Sequence, residues 1–202
     1  MLGQRTFDSP LGTCAVAYSE HGLVAAVLPS QTQATTLRAL ASLVRARKLP
    51  GALPSDEPEP TWVEAAIRTL SDLLMGVPVD TRSIPLDTRG LSDFRVRIYE
   101  AARAIPFGER ATYGELARTA DKATAARAVG RAMATNPWPL VVPCHRVVDS
   151  AGALHGFSAP GGLKTKAALL DIEARARAAS PCDPQKKGAK MTGSGSQGSL
   201  PF

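Results

Sequence analysis

The stretch Pro143-Cys144-His145-Arg146-Val147-Val148 decides how this chain of 202 residues is interpreted. It places a thiol next to an imidazole at the end of an apolar run, residues 140–142. A thiol is a weak nucleophile at its ordinary pKa of about 8.5, and a positioned imidazole or other base produces the reactive thiolate. For an isolated pair, a half-buried cysteine beside a hydrogen-bonded histidine is the better interpretation. This pair is not isolated, because an Asn-Pro-Trp-Pro segment at 136–139 and a predicted helix-turn-helix precede it.

The composition is that of a globular protein with a sizeable core, since 44% of the residues are hydrophobic and 21% are charged. No apolar run approaches the roughly 20 residues of a membrane span, and the N-terminus lacks a secretory signal pattern. Three cysteines without a CxxC pair argue against a disulfide framework or a structural zinc cluster and fit a reducing compartment. We therefore expect a cytoplasmic protein that does not associate with membranes, and we expect it to be a monomer.

The net charge of +6 is unevenly distributed along the chain. Residues 1–91 carry 8 basic and 9 acidic side chains, residues 92–173 carry 11 and 8, and residues 174–202 carry 5 and 1. A basic surface attracts the phosphates of a nucleic acid. For any single one of these residues a solvated charged face is the more frequent explanation. The charge therefore permits nucleic-acid binding without establishing it.

Residues 1–88 predict a small α/β domain. Strands are bounded by clusters of Pro, Gly and Ser, and Thr61 is the predicted N-cap of the second helix. A Pro-rich segment between the two helices predicts a loop. The predicted elements, in order, are a hairpin and a third strand within 5–28, a helix at 31–48, a loop at 50–60, a helix at 61–75 and a strand between Val77 and Leu86.

Residues 89–178 predict a second, mainly helical domain. Ser92 is the predicted N-cap of a helix that ends at Pro106. Thr112 and Glu115 have the spacing of a capping box, which predicts that a new helix begins there.

The helix predicted at 125–135, with Thr124 as its N-cap, completes a helix-turn-helix pattern. Gly130 in its interior costs about 1 kcal/mol relative to alanine, so another interaction should compensate. Close packing against another helix is one explanation. The other is that small side chains bring this helix close to a nucleic-acid groove, with Arg127 projecting. The sequence leaves the two explanations open.

The last part of the sequence predicts a loop, a helix and a polar tail. The Gly-rich segment 156–162 predicts a loop that can close over a pocket. An apolar stripe predicts a helix at 163–177 that carries Glu173. Pro, Gly, Ser and Lys dominate from Ser180 onward, and we expect residues 179–202 to be a disordered tail.

From Pro85 to Glu173 the chain resembles the O6-alkylguanine-DNA alkyltransferase family, also called methylated-DNA–protein-cysteine methyltransferases. The Pro-Cys-His-Arg-Val run is the most specific of the matching pieces, and all of them occur in the family's order. The pieces are Pro85-Leu86-Asp87, Phe94, Ile105 to Glu109, Thr112-Tyr113, Ala126 to Gly130, Asn136-Pro137, Pro143 to Val148, Gly161-Gly162 and Leu169-Leu170 with Glu173. The resemblance implies an N-terminal α/β domain akin to ribonuclease H and a mainly α C-terminal domain with a winged-helix-like helix-turn-helix.

The resemblance implies DNA repair by direct transfer. A cysteine takes the alkyl group from O6 of a flipped guanine and is not regenerated, and no cofactor takes part; activity on O4-alkylthymine stays open. Carried over, Cys144 is the acceptor, His145 generates the thiolate through a water, and Glu173 orients His145. Asn136 holds the backbone around the site. The Tyr113 hydroxyl helps to expel the guanine as a neutral base.

The resemblance also implies a partner, double-stranded DNA that contains alkylated guanine. Arg127 is implied to fill the base stack after the nucleotide has left it. The other residues implied to contact DNA are Tyr113, Ala126, Ala128 and Arg131. Those implied to line the substrate pocket are Pro139, Val147, Phe157 and Ser158.

Two departures from the family pattern concern the site. The dipeptide Ala159-Pro160 is inserted before a Gly-Gly pair, so the tolerated size of the alkyl group stays open. Ser19 and Val24 occupy two positions that hold zinc ligands in vertebrate members of the family, so we expect no metal.

Three other functions compete with alkyl transfer. A non-catalytic alkyltransferase-like protein would bind alkylguanine, but such proteins lack the acceptor cysteine. A cysteine hydrolase would have no use for the basic, Ala- and Gly-rich helix, and a transcription regulator would have none for the Cys-His pair. Labelled substrate separates transfer to the protein, binding alone and release of a product.

Overall fold

The computed structural model describes residues 2–49, 59–120, 125–154 and 156–179, and no helix in these ranges is long and apolar enough to cross a membrane. The first part of the chain consists of β1 (Gly3–Ser9), β2 (Gly12–Ser19), β3 (Gly22–Val27), α1 (Gln33–Arg47) and α2 (Trp62–Leu74). The second part consists of α3 (Asp93–Arg103), β4 (Ala111–Thr112), α4 (Tyr113–Thr119), α5 (Ala126–Ala134), β5 (Val147–Val148) and α6 (Leu163–Ala179). Short 3₁₀ turns lie at Thr81–Ser83 and Cys144–Arg146.

The first three strands form an antiparallel sheet in the order of the chain, which confirms the strands predicted within residues 5–28. Ala17 of β2 belongs to a hydrophobic cluster with Leu40 of α1. Val16 and Tyr18 belong to the larger core, which includes α2 and much of the second part. Because successive strand residues point to opposite faces, β2 is covered on both sides. This burial explains its nearly unbroken apolar sequence.

Both helices predicted for the first part are confirmed as α1 and α2. α1 begins with a capping box, in which Thr32 and Thr35 exchange hydrogen bonds. Thr61 directly precedes α2 as predicted, but its side chain makes no cap hydrogen bond. Its backbone is already helical, with φ −58° and ψ −25°, whereas a capping residue is normally extended. Residues 50–58 of the predicted loop lie outside the described residues.

The strand predicted between Val77 and Leu86 is wrong. The chain forms a 3₁₀ turn there, in which the Asp80 carboxylate accepts a hydrogen bond from the Arg82 amide at 2.8 Å. An isolated bridge joins Leu86 to Leu23. The segment contains two prolines, which cannot donate to a strand ladder, and an aspartate that favours a local turn.

Local capping determines where two helices of the second part begin. The Ser92 hydroxyl accepts a backbone hydrogen bond at 3.4 Å, and Thr112 and Glu115 form the predicted capping box with hydrogen bonds of 3.1 and 2.6 Å. α5 begins after Ala125, whose methyl side chain cannot cap it, and the predicted N-cap Thr124 lies outside the described residues. α4 and α5 pack against each other as the two helices of the predicted helix-turn-helix.

The end of the described chain is helical as predicted. α6 confirms the helix expected at 163–177 and continues to Ala179, while residues 180–202, the expected tail, lie outside the described residues. β4 and β5 pair in parallel and were not predicted, because two residues are too few to show an alternating pattern. This pair ties the start of α4 to the residues that follow the Cys-His pair.

The segment 136–142, which leads to the Cys-His pair, is held against the sheet. The Ala26 amide donates to the Pro137 carbonyl at 2.8 Å, and the Trp138 indole donates to the Leu23 carbonyl at 2.7 Å. The indole is fully buried, and a guanidinium at the end of α1 lies 5.1 Å from its ring centroid. The sheet and α1 therefore position the backbone that carries the reactive thiol.

Candidate active site

Cys144 begins a 3₁₀ turn that the preceding segment holds in place. Its amide donates to the Val142 carbonyl at 2.7 Å, and the Asn136 side chain donates to the same carbonyl at 2.9 Å. Asn136 also accepts a hydrogen bond from the Trp138 amide at 3.0 Å. Leu140 lies between the two backbone groups that Asn136 contacts. Its φ of 77° is a left-handed conformation that costs an apolar residue about 1 kcal/mol or more. Asn136 thus lies where it can hold a strained backbone beside the thiol.

The Cys144 thiol is buried, with 7% of the residue exposed. Burial raises its pKa, while the Asn136 side chain, the Lys166 ammonium and nearby backbone amides act in the opposite direction. The net effect is a raised pKa, so the thiol is protonated at neutral pH. It therefore needs a base before it can act as a nucleophile.

His145 and Glu173 form a buried pair next to this thiol. The His145 Nε2 atom and a Glu173 oxygen are 2.9 Å apart, and the residues are 0% and 2% exposed. Burial lowers the pKa of His145 against the opposing effect of Glu173. Because an ionised carboxylate only accepts hydrogen bonds, Nε2 carries the proton and Nδ1 is the acceptor. Nδ1 is buried and has no hydrogen-bond partner among the described residues, so it is free to take a proton.

Glu173 is held by more than the imidazole. Its carboxylate accepts hydrogen bonds from Arg146 Nε and from the Gly108 amide, both at 3.0 Å. Burial opposes ionisation of Glu173, but the hydrogen bonds from His145 and Arg146 more than offset it, so the pKa of Glu173 lies below its usual value. The carboxylate is therefore ionised at neutral pH. No role was predicted for Arg146 from the sequence, although it belongs to the Cys-His-Arg run.

Lys166 is a further site residue, and it was not predicted from the sequence. It is fully buried, and its ammonium donates to the Val147 carbonyl at 2.6 Å. The ammonium favours the thiolate form of Cys144, although burial lowers the pKa of Lys166 itself. Lys166 and Glu173 lie seven residues apart on α6, which is two helical turns and hence one face. Two charged residues at that spacing within an apolar stripe were the signal that could have found it.

Tyr113 is the first residue of α4 and is partly buried. Burial raises the pKa of its hydroxyl, and the nearby Cys144 and Asp149 raise it further. The phenol is therefore neutral at physiological pH and can donate a hydrogen bond. The capping box of α4 and the β4–β5 pair fix its position relative to the thiol.

A cavity of about 500 Å³ opens at Cys144. Two residues predicted to line the substrate pocket, Pro139 and Ser158, border it. The other two, Val147 and Phe157, are fully and partly buried and do not belong to its described lining. The sequence did not predict that the first part of the chain supplies much of the wall. That contribution comes from Ala26, Val27, Leu28, Ser30, Ala39, Ser42 and Leu43.

The helix α5 carries four of the five residues implied to contact DNA, and the fifth, Tyr113, begins α4. Ala126, Arg127 and Arg131 are exposed, and Ala128 is partly buried. A Cβ atom added to Gly130 would meet no described atom within 4 Å outside the helix's own backbone. Close packing against another described helix therefore does not explain this glycine. The surface at this point is open to a ligand.

The described residues contain no group of three or more His, Cys, Asp or Glu side chains that could hold a metal ion. Ser19, at one of the zinc-ligand positions of vertebrate relatives, donates a hydrogen bond to Asp87 at 2.7 Å. Val24, at another, is fully buried in the sheet.

Comparison with known proteins identifies the family. The family model named 6-O-methylguanine DNA methyltransferase, DNA binding domain, matches residues 93–175. The methylated-DNA–protein-cysteine methyltransferase of Mycobacterium tuberculosis strain H37Rv is 35% identical over 173 residues, which cover 86% of this chain and 93% of that protein. This chain belongs to the methylated-DNA–protein-cysteine methyltransferase family.

Solved structures of methyltransferases share the fold. The crystal structure of Mycobacterium tuberculosis OGT in complex with DNA matches with a TM-score of 0.63 and 32% identity, covering 86% of this chain and 93% of that one. The O6-methylguanine-DNA methyltransferase of Pyrococcus kodakaraensis matches with a TM-score of 0.63 and 27% identity, covering 86% and 99%. These matches confirm the expected N-terminal α/β part and helical, DNA-binding C-terminal part.

The function expected of this methyltransferase is also confirmed, namely direct repair of O6-alkylguanine in DNA. A longer relative is the bifunctional transcriptional activator/DNA repair enzyme Ada of Escherichia coli. It is 36% identical over 167 residues, which cover 83% of this chain but 44% of Ada.

Proposed function

We propose that Cys144 is the alkyl acceptor of this methyltransferase and that His145 and Glu173 activate it. One observation carries the proposal. A thiol at the mouth of a cavity adjoins a buried imidazole whose Nε2 is held by an ionised carboxylate and whose Nδ1 is free to take a proton. This is the arrangement of nucleophile, base and orienting group that activates a weak nucleophile.

The reaction begins with a proton transfer. His145 Nδ1 takes the proton of Cys144 through a bridging water, and Glu173 stabilises the imidazolium that results. The lowered pKa of His145 keeps the imidazole neutral, and hence basic, before the transfer. The Lys166 ammonium favours the negative charge on the sulfur.

The thiolate then displaces the guanine. The Cys144 sulfur attacks the alkyl carbon, so that the S–C bond forms as the C–O6 bond breaks, and the electron pair of that bond passes into the guanine ring. The Tyr113 hydroxyl donates a proton to the ring, and guanine leaves as a neutral base. The Tyr113 oxygen then regains a proton from the His145 imidazolium through solvent. No described residue at the site is placed to remove a thioether, so each chain acts once.

Double-stranded DNA with an alkylated guanine is the partner, and α5 is the element that enters its groove. Flipping a nucleotide out of the stack costs a few kcal/mol, and Arg127 offsets part of this by filling the vacancy. The open surface at Gly130 and the small neighbours Ala126 and Ala128 allow a close approach to the groove. Arg131, one turn farther along, meets a phosphate. The DNA complex of the Mycobacterium tuberculosis relative supports this partner.

The chain divides into an N-terminal α/β domain at 1–88 and a DNA-binding and alkyl-acceptor domain at 89–178. A single chain supplies the thiol, its base and the DNA-facing helix, so the protein acts as a monomer. Its substrate and the absence of a disulfide among the described cysteines fit action in the cytoplasm.

Counting transfers tests the acceptor. With an excess of duplex containing O6-methylguanine, each chain should restore one guanine and gain the mass of one methylene group. Cys144→Ser should bind the duplex and transfer nothing, whereas the matched variant Cys14→Ser should retain transfer. Repeated turnover, or transfer by Cys144→Ser, would contradict the assignment.

A further inference from the structure

A second cavity, of about 380 Å³, is separate from the one at Cys144. It is bordered by residues 78–82, by residues 103–107 at and after the end of α3, and by Arg146. The two cavities share no described lining residue, and none of the residues implied to contact DNA borders the second one. Sites for small ligands have volumes of roughly 300–1,000 Å³. The second cavity is therefore large enough for a small ligand, and the proposed mechanism does not use it.

Two buried guanidinium groups border this cavity. The side chains of Arg103 and Arg146 are each 6% exposed. Arg103 Nη2 donates to two backbone carbonyls at 2.8 Å, and Arg146 Nη1 donates to a third at 2.8 Å. Arg146 Nε donates to the Glu173 carboxylate at 3.0 Å. These hydrogen bonds hold both positive charges at the wall of the cavity.

Each of the two guanidinium groups has a nitrogen that the described residues leave without a hydrogen bond. These atoms are Arg103 Nε and Arg146 Nη2. Arg146 Nη2 lies 2.9 Å from a Glu173 oxygen, which is an ion-pair distance, but the two groups lack the alignment of a hydrogen bond. A buried donor without an acceptor costs free energy. A ligand that accepts hydrogen bonds from these two side chains is therefore favoured.

The charges around the cavity favour an anion. Asp80 and Arg82 also border it, but they pair with each other through hydrogen bonds of 2.8 and 3.0 Å, so their charges cancel. Glu100, 3.1 Å from Arg103, is 53% exposed, and solvent screens that pair. Guanidinium groups are well suited to phosphate oxygens. A tetrahedral phosphate can accept from two such groups in different planes, whereas the acceptors of a carboxylate lie in one plane.

Apolar side chains form much of the remaining wall. They are Pro78, Val79, Ala104, Ile105, Pro106 and Phe107. A phosphate held by the two arginines would have these side chains beside it, and they can cover a small apolar group attached to the phosphate.

We infer that the cavity bordered by Arg103 and Arg146 binds a phosphate group, either as free phosphate or as a phosphate monoester with a small apolar body. The inference does not depend on which residue accepts the alkyl group. Because Arg146 also holds Glu173, the ligand and this carboxylate share one guanidinium. The two negative charges compete for it, so the loss of one should strengthen the binding of the other.

Calorimetric titration at constant ionic strength tests the site, with inorganic phosphate and phenyl phosphate as separate probes. The unmodified protein should bind phosphate saturably. Several-fold tighter binding of phenyl phosphate would identify a monoester as the ligand, and equal affinities would identify free phosphate. Arg127→Ala removes an arginine of the DNA-facing helix and should leave both affinities unchanged, which separates the cavity from phosphate binding at that surface.

A charge placed at the cavity provides the matched pair of variants. Ala104 is exposed and borders the cavity. Ala104→Glu brings a carboxylate to the two guanidinium groups and should weaken phosphate binding by about tenfold or more. Ala104→Gln, of nearly the same size but neutral, should change the affinity far less. The absence of saturable binding, or equal binding by the two variants, would overturn the inference and leave the proposed function standing.

Glu173→Gln tests the link to the active site. With Arg146 freed from its counter-charge, phosphate should bind about tenfold more tightly than it binds the unmodified protein. Unchanged affinity in the folded variant would contradict the shared guanidinium. If Glu173→Gln does not fold, the comparison of Ala104→Glu with Ala104→Gln still decides whether the cavity is a phosphate site.

Discussion

The structure describes two buried cysteines, and their surroundings differ in what they do to a thiol. Cys14 in β2 is 1% exposed and Cys144 is 7% exposed. The pKa of Cys14 is raised to about 11, mainly by burial; the Ser9 hydroxyl, 3.8 Å from the sulfur, opposes the rise, and Asp8 adds a smaller contribution to it. Burial raises the pKa of Cys144 as well, but an amide side chain, an ammonium and backbone amides oppose it there.

The comparison teaches that burial alone makes a thiol inert. Cys14 lies in a regular ladder opposite Phe7, within a packed core. Cys144 lies four residues after the strained Leu140, borders a cavity and adjoins an imidazole with a free nitrogen. A base that can remove the proton, charges that favour the thiolate and space for an electrophile distinguish the acceptor from the core residue.

Removing the Glu173 carboxylate should make the Cys144 thiol nearly as unreactive as that of Cys14. In Glu173→Gln the imidazolium loses its counter-charge and the histidine loses its fixed tautomer, so we expect the single-turnover rate to fall by about 1,000-fold or more. Arg146 is left as an unpaired buried cation, which should lower the free energy of unfolding by about 3–5 kcal/mol. Denaturant titration measures this loss and defines conditions in which the variant is folded.

Asp171→Asn, at an exposed position of the same helix, is the control and should change neither the transfer rate nor the free energy of unfolding much. A folded Glu173→Gln variant with an unchanged rate would show that the carboxylate does not activate the thiol.

Arg127→Ala should separate the activation of Cys144 from the delivery of its substrate. We expect transfer from duplex DNA to slow by about 10- to 100-fold at saturating DNA, because the variant no longer offsets the cost of flipping. Reaction with the free base O6-benzylguanine needs no flipping and should keep its rate. An unchanged duplex rate would rule out the stack-filling role and leave Arg127 as a phosphate contact.

The pH dependence of the transfer rate should follow the pKa of His145, the base that activates Cys144. Burial lowers the pKa of His145 below its usual 6.5, so the imidazole stays neutral and transfer should persist at pH 6.5 and decline only at lower pH. Rates measured from pH 5 to 8 test this, and a midpoint above 6.5 would contradict it.

The free energy of unfolding should depend on pH through His145 and its partner Glu173. The folded-state pKa values of His145 and Glu173 lie below their usual 6.5 and 4.5, so the unfolded chain binds more protons as the pH falls. Their contribution is fully present above the unfolded values, and the free energy of unfolding should decrease first below pH 6.5 and further below pH 4.5. Denaturant titrations at these pH values measure it, and a flat profile would contradict the buried pair.

Gly130→Ala should have the smallest effect and should act away from both thiols. Because a methyl group at this position meets no described atom, better helix propensity should raise the free energy of unfolding by about 0.5–1 kcal/mol. The same methyl group should weaken duplex binding several-fold by keeping α5 from the groove. Ala65→Gly on an exposed face of α2 is the reverse control and should change stability without changing DNA affinity. Unchanged duplex affinity in Gly130→Ala would contradict a close approach of α5 to the groove at this position.

Local patterns in the sequence were sufficient for the elements that local interactions determine. The capping box at Thr112 and Glu115 lies within three residues, and the sequence predicted it correctly. The strand expected between Val77 and Leu86 failed because prolines and an Asx turn outweighed its apolar residues. Lys166 was missed because its neighbour Val147 is 19 residues away, and the α1 wall of the cavity was missed because only the folded chain brings it to Cys144.

The most direct measurement compares the cysteines within one sample. The protein is incubated with one equivalent of duplex containing O6-methylguanine, digested, and its cysteine peptides are mapped by mass spectrometry. The account predicts methyl on Cys144 alone, with none on Cys14 or on Cys182, which lies outside the described residues. Methyl on either of those residues, or divided between them and Cys144, would contradict the claim that the surroundings of Cys144 make it the acceptor.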